Sequence, residues 1–166
     1  MGNPTRRVGL PIQIVGLAYH SSMAIMGMSD DQLLGFNRGI VEEFRDNDGK
    51  CGGRFEGNPM LLLTMTGAKS GRELVSPLTY HAAGDVQVIM ASAGGAPSHP
   101  SWFYNLVAQP SVVVELGTER FEATAVRLEG SEREVALAGF AAEMPRFGDY
   151  QAGVEREIPL FRLVRK

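Results

Sequence analysis

The sequence predicts a mainly β fold with inserted helices, of the α+β class, in which six short strands form a small antiparallel barrel. Three observations lead there. Six short apolar segments are bounded by glycine, proline or Asn/Asp clusters, the pattern of strands separated by turns. Helical spacing is confined to a few stretches between them. The strands do not alternate strictly with helices, as a doubly wound sheet requires. With 166 residues and 44% apolar content, the chain can bury one core and rarely two. The expected organisation is therefore an apolar N-terminal segment or helix over residues 1–28 and a single domain over 29–166.

Val8 to Met28 contains no Asp, Glu, Lys or Arg, yet Pro11, three glycines, His20, Ser21 and Ser22 interrupt it. It lacks the solid run of about 20 apolar residues that a bilayer core demands. A helix packed on the domain is the expected reading. A loose membrane association and an export signal behind Arg6–Arg7 stay open. From Ser29 the pattern is helical, with Leu33, Phe36, Ile40, Val41 and Phe44 on one face and Ser29 with Gln32 as a capping box. Asp46-Asn47-Asp48-Gly49 should end this helix, and Gly52 to Pro59 reads as a loop.

Met60 to Thr66 is a short apolar run between Pro59 and Gly67, which predicts a buried strand. Leu74 to His81 and Val86 to Ala91 follow as strands around the turn Ala83-Gly84-Asp85. Ser98 with Pro100 predicts a helix start, and Pro110 its end. Val112 to Leu116 and Phe121 to Leu128 form a hairpin around Gly117-Thr118. Ser131 with Glu134 predicts a second capping box, before a helix with Val135, Ala138, Ala141 and Ala142 on its apolar face and Pro145 as its stop. Ile158 to Val164 supplies the sixth strand.

Charge and residue usage exclude several functions. Sixteen Lys and Arg against nineteen Asp and Glu leave a net charge of −3, so no basic field invites nucleic acid. One cysteine, Cys51, rules out an internal disulfide and fits a reducing cytoplasm. His20, His81 and His99 lack metal-ligand spacing, and Asp46 with Asp48 fails the calcium-loop template because Gly49 comes too soon. No metal is expected.

Three elements between Thr66 and Leu106 carry the chemistry. Thr66-Gly67-Ala68-Lys69-Ser70-Gly71-Arg72 is a tight turn with backbone N–H groups, a hydroxyl and two cations, suited to a phosphate or carboxylate. It is not a nucleotide P-loop, because the four-residue gap before Gly-Lys is missing. Lys69 would act as a point charge and Arg72 as a planar fork. Ser92 and the Gly94-Gly95 pair lie at a strand end, where missing side chains let a planar ligand approach the backbone. Trp102 and Asn105, three apart on one helix, share a face. Each element alone also fits a plain surface turn, a loop or a core tryptophan. Together they describe a cradle for a flat, anionic, ring-bearing ligand.

At these elements the chain resembles the deazaflavin-dependent nitroreductase family, the split-barrel oxidoreductases of actinobacteria that use coenzyme F420. The resemblance runs from Asn47-Asp48-Gly49 and Gly52-Gly53, through Thr-Gly-x-Lys-Ser-Gly, Pro77-Leu78, Ala-Ser-x-Gly-Gly and His-Pro-x-Trp-x-x-Asn-Leu, to Asp149-Tyr150-Gln151 and Ile158-Pro159. It implies a six-stranded, FMN-binding-like split β-barrel. Lys69, Ser70 and Gly71 match the phosphate turn, with Arg72 beside it. Pro77 and Met90, Ala91 and Ser92, continued by Ala93 and Gly94, match the groove for the ring. Trp102 and Asn105 match the helix that closes on the coenzyme, and Tyr150 an aromatic position on the substrate side. Leu74 stands where the family usually has arginine, Ala68 replaces a common arginine, and Ala93 stands where some members have lysine. Phe147 stands where some have tyrosine. Arg72 is the cation expected to compensate for Leu74.

The activity so implied is hydride transfer from reduced coenzyme F420 to a small electron-poor acceptor: a quinone, an activated enone or a nitro compound. Tyr150, Ser92 or solvent would supply the proton. Two other readings stay open. One is a sibling barrel that uses FMN; the other is a non-catalytic module that binds the coenzyme or a lipid-like molecule.

Overall fold

The structure, a computed structural model, describes residues 30–166. The expectations for 1–28 and for a cap at Ser29 lie outside those residues. Six strands form a closed antiparallel barrel in the order β1-β2-β3-β6-β5-β4. They are β1 (Met60–Thr66), β2 (Glu73–Ala83), β3 (Val86–Met90), β4 (Ser111–Leu116), β5 (Glu119–Arg127) and β6 (Leu160–Arg165). Helix α1 (Asp30–Asp46) precedes them, α2 (Ser101–Ala108) links β3 to β4, and α3 (Gly130–Glu143) with α4 (Pro145–Ala152) links β5 to β6.

Helices cover the barrel on two sides, so several strands are buried on both faces. Inside, Leu61, Leu63, Met65, Ile89, Val114, Phe161 and Leu163 pack with Trp102, Phe103 and Leu106 of α2. Outside β1 and β2, Ile40, Val41 and Phe44 of α1 pack on Met60, Leu62, Val75 and Phe55. Outside β3 and β6, Ala136, Phe140, Met144 and Phe147 of α3 and α4 pack on Val88, Met90 and Leu160. This two-sided burial explains why β1 reads as an unbroken apolar run rather than an alternating one.

The pairing lapses along one stretch of β2. β2 pairs with β1 from Thr66↔Glu73 to Met60↔Thr79, but with β3 only from Tyr80↔Ile89 to Ala83↔Val86. β3 turns away after Met90, so the stretch of β2 around Pro77 has a partner on one side only. Proline has no N–H to give a ladder and is tolerated at such an edge.

Local details depart from the sequence expectations in four places. Ser98 caps nothing: α2 begins at Ser101 with Pro100 in the cap position and no side-chain cap. Residues 93–95 form a 3-10 turn, and the chain enters α2 in extended form. Ser131 and Glu134 form no capping box, because α3 starts at Gly130 without a side-chain cap and Glu134 instead meets Arg133 Nη1 at 2.6 Å. The buried face of α3 is Arg133, Ala136 and Phe140, while Val135 is 73% exposed. A buried arginine occupies the apolar spacing, which hides the true face from a count of apolar residues. Pro145 does stop α3, and it also opens α4 as that helix's first residue.

Among the described residues, no helix is long and apolar enough to cross a membrane. Nor does any group of three or more His, Cys, Asp or Glu there stand ready to hold a metal ion.

Two contacts dock the end of α1 on the β4–β5 hairpin. Arg45 Nε and Nη2 donate to the two carboxylate oxygens of Glu115, both at 2.9 Å. Gly49 adopts φ +89°, and a Cβ there would lie 2.6 Å from Gly117 Cα. Gly84 also has positive φ, but a Cβ there would meet open space. Gly49→Ala should therefore cost about 3 kcal/mol in chemical denaturation and Gly84→Ala about 1 kcal/mol. Equal losses would mean that strain alone, without the close approach to Gly117, governs position 49.

Candidate active site

The opening beside Pro77 is the mouth of a cleft. Pro77, Leu78 and Thr79 of β2 form one wall, and Met90, Ser92, Ala93 and Gly94 at the end of β3 form the other. Trp102 lies against it from α2. Phe55 with Arg54 comes from the loop after α1, and Arg146, Phe147 and Tyr150 come from α4. All three apolar layers meet here, which concentrates aromatic rings at a surface opening. Size does not single it out, since the cleft holds about 110 Å³ and the groove bounded by Gly49, Cys51 and Tyr80 about 620 Å³. Its chemistry does: among the described residues, four aromatic side chains, three hydroxyls and two guanidinium groups line it, with no carboxylate among them.

The strand end that forms its second wall is held by an arginine that the sequence reading missed. Where β3 leaves β2, Ser92 O and Ala93 O accept from Gly95 and Ala96 N–H, and the carbonyls of Ala91, Ser92 and Ala96 take donors from a side chain. Arg156 Nε donates to Ala96 O at 3.1 Å, and Nη2 to Ser92 O at 2.9 Å. Nη1 and Nη2 both reach Ala91 O at 3.3 Å, and Nη1 also donates to His99 Nδ1 at 2.9 Å. One guanidinium thus fastens both ends of the turn. Inside it, Ala93, Gly94 and Gly95 have φ of 58°, 61° and 84°, a left-handed run in which Ala93 carries the strain that glycine avoids.

The two glycines differ in what they adjoin: Gly94 lines the cleft, while Gly95 makes room for a side chain. A Cβ on Gly95 would lie 3.2 Å from Tyr150 Cδ1, so the planar group admitted there is the protein's own Tyr150 ring. Phe147 backs that ring at 5.3 Å, edge-on. Helix α4 is fixed in turn through Gln151. Its Oε1 accepts from Arg133 Nη2 at 2.6 Å and from Ile158 N–H at 2.9 Å, and its Nε2 donates to Arg156 O at 2.9 Å. Arg133, only 4% exposed, completes the network with two bonds to Ile158 O.

The basic turn lies between β1 and β2, outside the cleft lining. Most of its amides are spent internally, contrary to the expectation of free N–H groups. Gly67 N–H donates to Arg72 O at 2.8 Å and Gly71 N–H to Gly67 O at 2.9 Å. Arg72 N–H donates to Ser70 Oγ at 3.2 Å, and Ala68 N–H to Asn105 Oδ1 at 2.9 Å. Anion binding by this turn therefore rests mainly on the exposed side chains of Lys69, Ser70 and Arg72. Arg72 precedes β2, and Leu74 is buried in the barrel interior. Strand alternation thus gives Arg72 no claim on the Leu74 position.

Of the residues singled out from the sequence, Pro77, Met90, Ser92, Ala93, Gly94, Trp102 and Tyr150 line the cleft together. Lys69, Ser70, Gly71 and Arg72 form the separate turn. Asn105 connects the two, because it holds Ala68 from the helix that carries Trp102. Ala91 is buried and contributes its carbonyl to Arg156. Arg54, Phe55, Leu78, Thr79 and Arg146 also line the cleft and were not foreseen. Arginine followed by phenylalanine occurs at 54–55 and 146–147, but also at 120–121 outside this lining, so the dipeptide does not mark the wall.

Comparisons with known proteins bear on this arrangement. The family model described as F420H(2)-dependent quinone reductase matches residues 36–164. A Mycobacterium tuberculosis protein named as an F420H(2)-dependent quinone reductase is 37% identical over 127 residues, covering 74% of this chain and 85% of its own length. A solved structure of an F420-H2-dependent reductase, FDR-A, is 39% identical with a TM-score of 0.60, covering 63% of this chain and 93% of its own. Another, described as a domain-swapped dimer, is 34% identical with a TM-score of 0.61, covering 81% of this chain and 99% of its own.

The fastening of residues 91–99 is sensitive to pH through His99. Burial, then the positive charges of Arg156 and Arg127, push the His99 pKa below its usual 6.5. Its Nδ1 accepts from Arg156, so the ring is neutral with its proton on Nε2. The folded protein resists a proton that the unfolded chain takes up near pH 6.5, so this contribution is present above that value and is lost as pH falls below it. Thermal unfolding midpoints should fall from pH about 7.5 to about 5, and less steeply in His99→Gln. Identical slopes in the two proteins would remove His99 as the cause.

Proposed function

The chain belongs to the F420H(2)-dependent quinone reductase family, and on that premise we propose that its aromatic cleft is where reduced coenzyme F420 and a quinone are brought together. The protein is an F420H2-dependent oxidoreductase. The observation that carries the site assignment is the bond from Ala68 N–H to Asn105 Oδ1. It couples the cationic turn to the helix whose Trp102 lines the cleft, so a ligand with a flat ring and an acidic tail finds complementary surfaces at linked positions.

The residues present suit such a ligand. Lys69 and Arg72, with the Ser70 hydroxyl, would hold the anionic tail, on a turn closed by the bond from Gly71 N–H to Gly67 O. Pro77, Met90, Ala91, Ser92, Ala93 and Gly94 would form the ring wall, with Trp102 closing on it and Asn105 keeping turn and helix in register. When bound, the reduced deazaflavin supplies a hydride, that is, two electrons and one proton. Phe55, Trp102, Phe147 and Tyr150 exclude water and orient the acceptor. A quinone that accepts the hydride becomes a hydroquinone monoanion and needs one further proton. Tyr150 and Ser92 are the proposed donors at the cleft, because both carry hydroxyls in its lining. Activated enones and nitro compounds are electron-poor in the same sense and belong to the same proposal, as does a cytoplasmic location.

Oxidation of F420H2, followed by the return of the oxidised coenzyme's absorbance, should proceed with simple naphthoquinones. Lys69→Ala should raise the KM for F420H2 by at least about tenfold, since a charge-assisted contact contributes roughly 1.5–3 kcal/mol. Binding of F420 without turnover over a panel of quinones, enones and nitro compounds would favour a binding module instead. Tyr150→Phe should lower kcat and alter its pH profile. An unchanged profile would leave the proton to Ser92 or solvent.

A further inference from the structure

Two cations at the cleft have no part in holding the acidic tail assigned above to the Lys69 turn. Arg54 reaches the cleft from the 3-10 turn Gly53–Phe55, and Arg146 from the first turn of α4. Both are exposed. Each lies over the ring of the following phenylalanine, with Arg54 Cζ 5.7 Å from the Phe55 centroid and Arg146 Cζ 5.4 Å from that of Phe147. Those contacts hold the guanidinium groups beside the opening, and the two phenylalanines are themselves buried parts of the cleft wall. Among the described residues no Asp or Glu lines the cleft, although the chain as a whole is acidic, at −3. The charged side chains of the described lining are therefore cationic, against the overall charge.

A positive rim around an aromatic slit favours a flat acceptor that bears a negative charge close to its ring. We propose that Arg54 and Arg146 form an anion-recognising rim that selects quinones with a fixed anionic group, such as a sulfonate, a carboxylate or an ionised ring hydroxyl. The proposal rests on the quinone-reductase reading for the identity of the acceptor. The rim's preference for an anion, however, can be measured without the coenzyme. The same rim would also face the negative charge that a neutral quinone gains when it accepts a hydride.

Trp102 makes the test direct, because it is the chain's one tryptophan and lines the cleft. Its emission should be quenched by bound quinone. The probes are 1,4-naphthoquinone-2-sulfonate and 2-methyl-1,4-naphthoquinone, titrated into wild type, Arg54→Gln, Arg146→Gln and the double variant, with circular dichroism to verify the fold. Wild type should prefer the sulfonated quinone, and the ratio of the two Kd values should fall by about tenfold or more in the double variant. An unchanged ratio would overturn the proposal, including the case in which both quinones weaken equally because the arginines serve only packing. It would equally be overturned if F420 binding weakens while the sulfonated quinone is unaffected, because the arginines would then serve the coenzyme's acidic tail. The kcat/KM ratio for the two quinones with F420H2 should move in parallel. If wild type binds the sulfonated quinone selectively but oxidises no F420H2, the rim stands and the quinone-reductase reading fails.

Discussion

The break in hydrogen bonding between β2 and β3 is the constraint on which the rest of this structure depends. A barrel that opens locally frees one side of β2 for a ligand, but it also strands backbone carbonyls where β3 turns away. Left unpaired and buried, each such group would cost about 1–3 kcal/mol. Arg156 resolves this with its full fork of donors, distributed over Ala91, Ser92, Ala96 and His99. The opening is thereby made compatible with a stable fold, and the left-handed turn over residues 93–95 becomes a fixed wall.

The same segment ties α4 to that wall. Gln151 of α4 bonds the backbone at Arg156 and Ile158, and the buried Arg133 bonds both Gln151 and Ile158. The Tyr150 ring rests against Gly95. The wall over residues 93–95 and the α4 side of the cleft, with Arg146, Phe147 and Tyr150, are thus set by one connected group of polar contacts. On the other side, Asn105 couples the cationic turn to α2. Such preorganisation is what hydride transfer demands, since the protein contributes position and dryness rather than new chemical groups.

Much of this was legible in the sequence, for identifiable reasons. Strands such as Met60–Thr66 announce themselves by apolar content between Pro59 and Gly67. The cleft residues Pro77, Ser92, Gly94 and Trp102 lie within short motifs that the resemblance made readable. What escaped was long-range or polar. Arg156 acts on residues some sixty positions earlier, and no spacing rule reaches that far. Arg133 looked like a surface charge and turned the predicted face of α3 toward solvent. The amides of the basic turn looked free, but three donate within the turn itself and that of Ala68 to Asn105 Oδ1, a partner only the tertiary fold supplies. Helix α4 was hidden behind Pro145, which reads equally well as a stop and as a first helical residue.

Cleft and basic turn should act as one coenzyme site, and Trp102 emission reports on it. Titration with coenzyme F420 and, in parallel, with FMN should give saturable quenching by F420 at lower concentration than by FMN, and Lys69→Ala should shift the F420 curve to higher concentration by about tenfold. Saturable quenching by FMN without a response to F420, or an F420 curve indifferent to Lys69, would contradict a deazaflavin site built from these two elements.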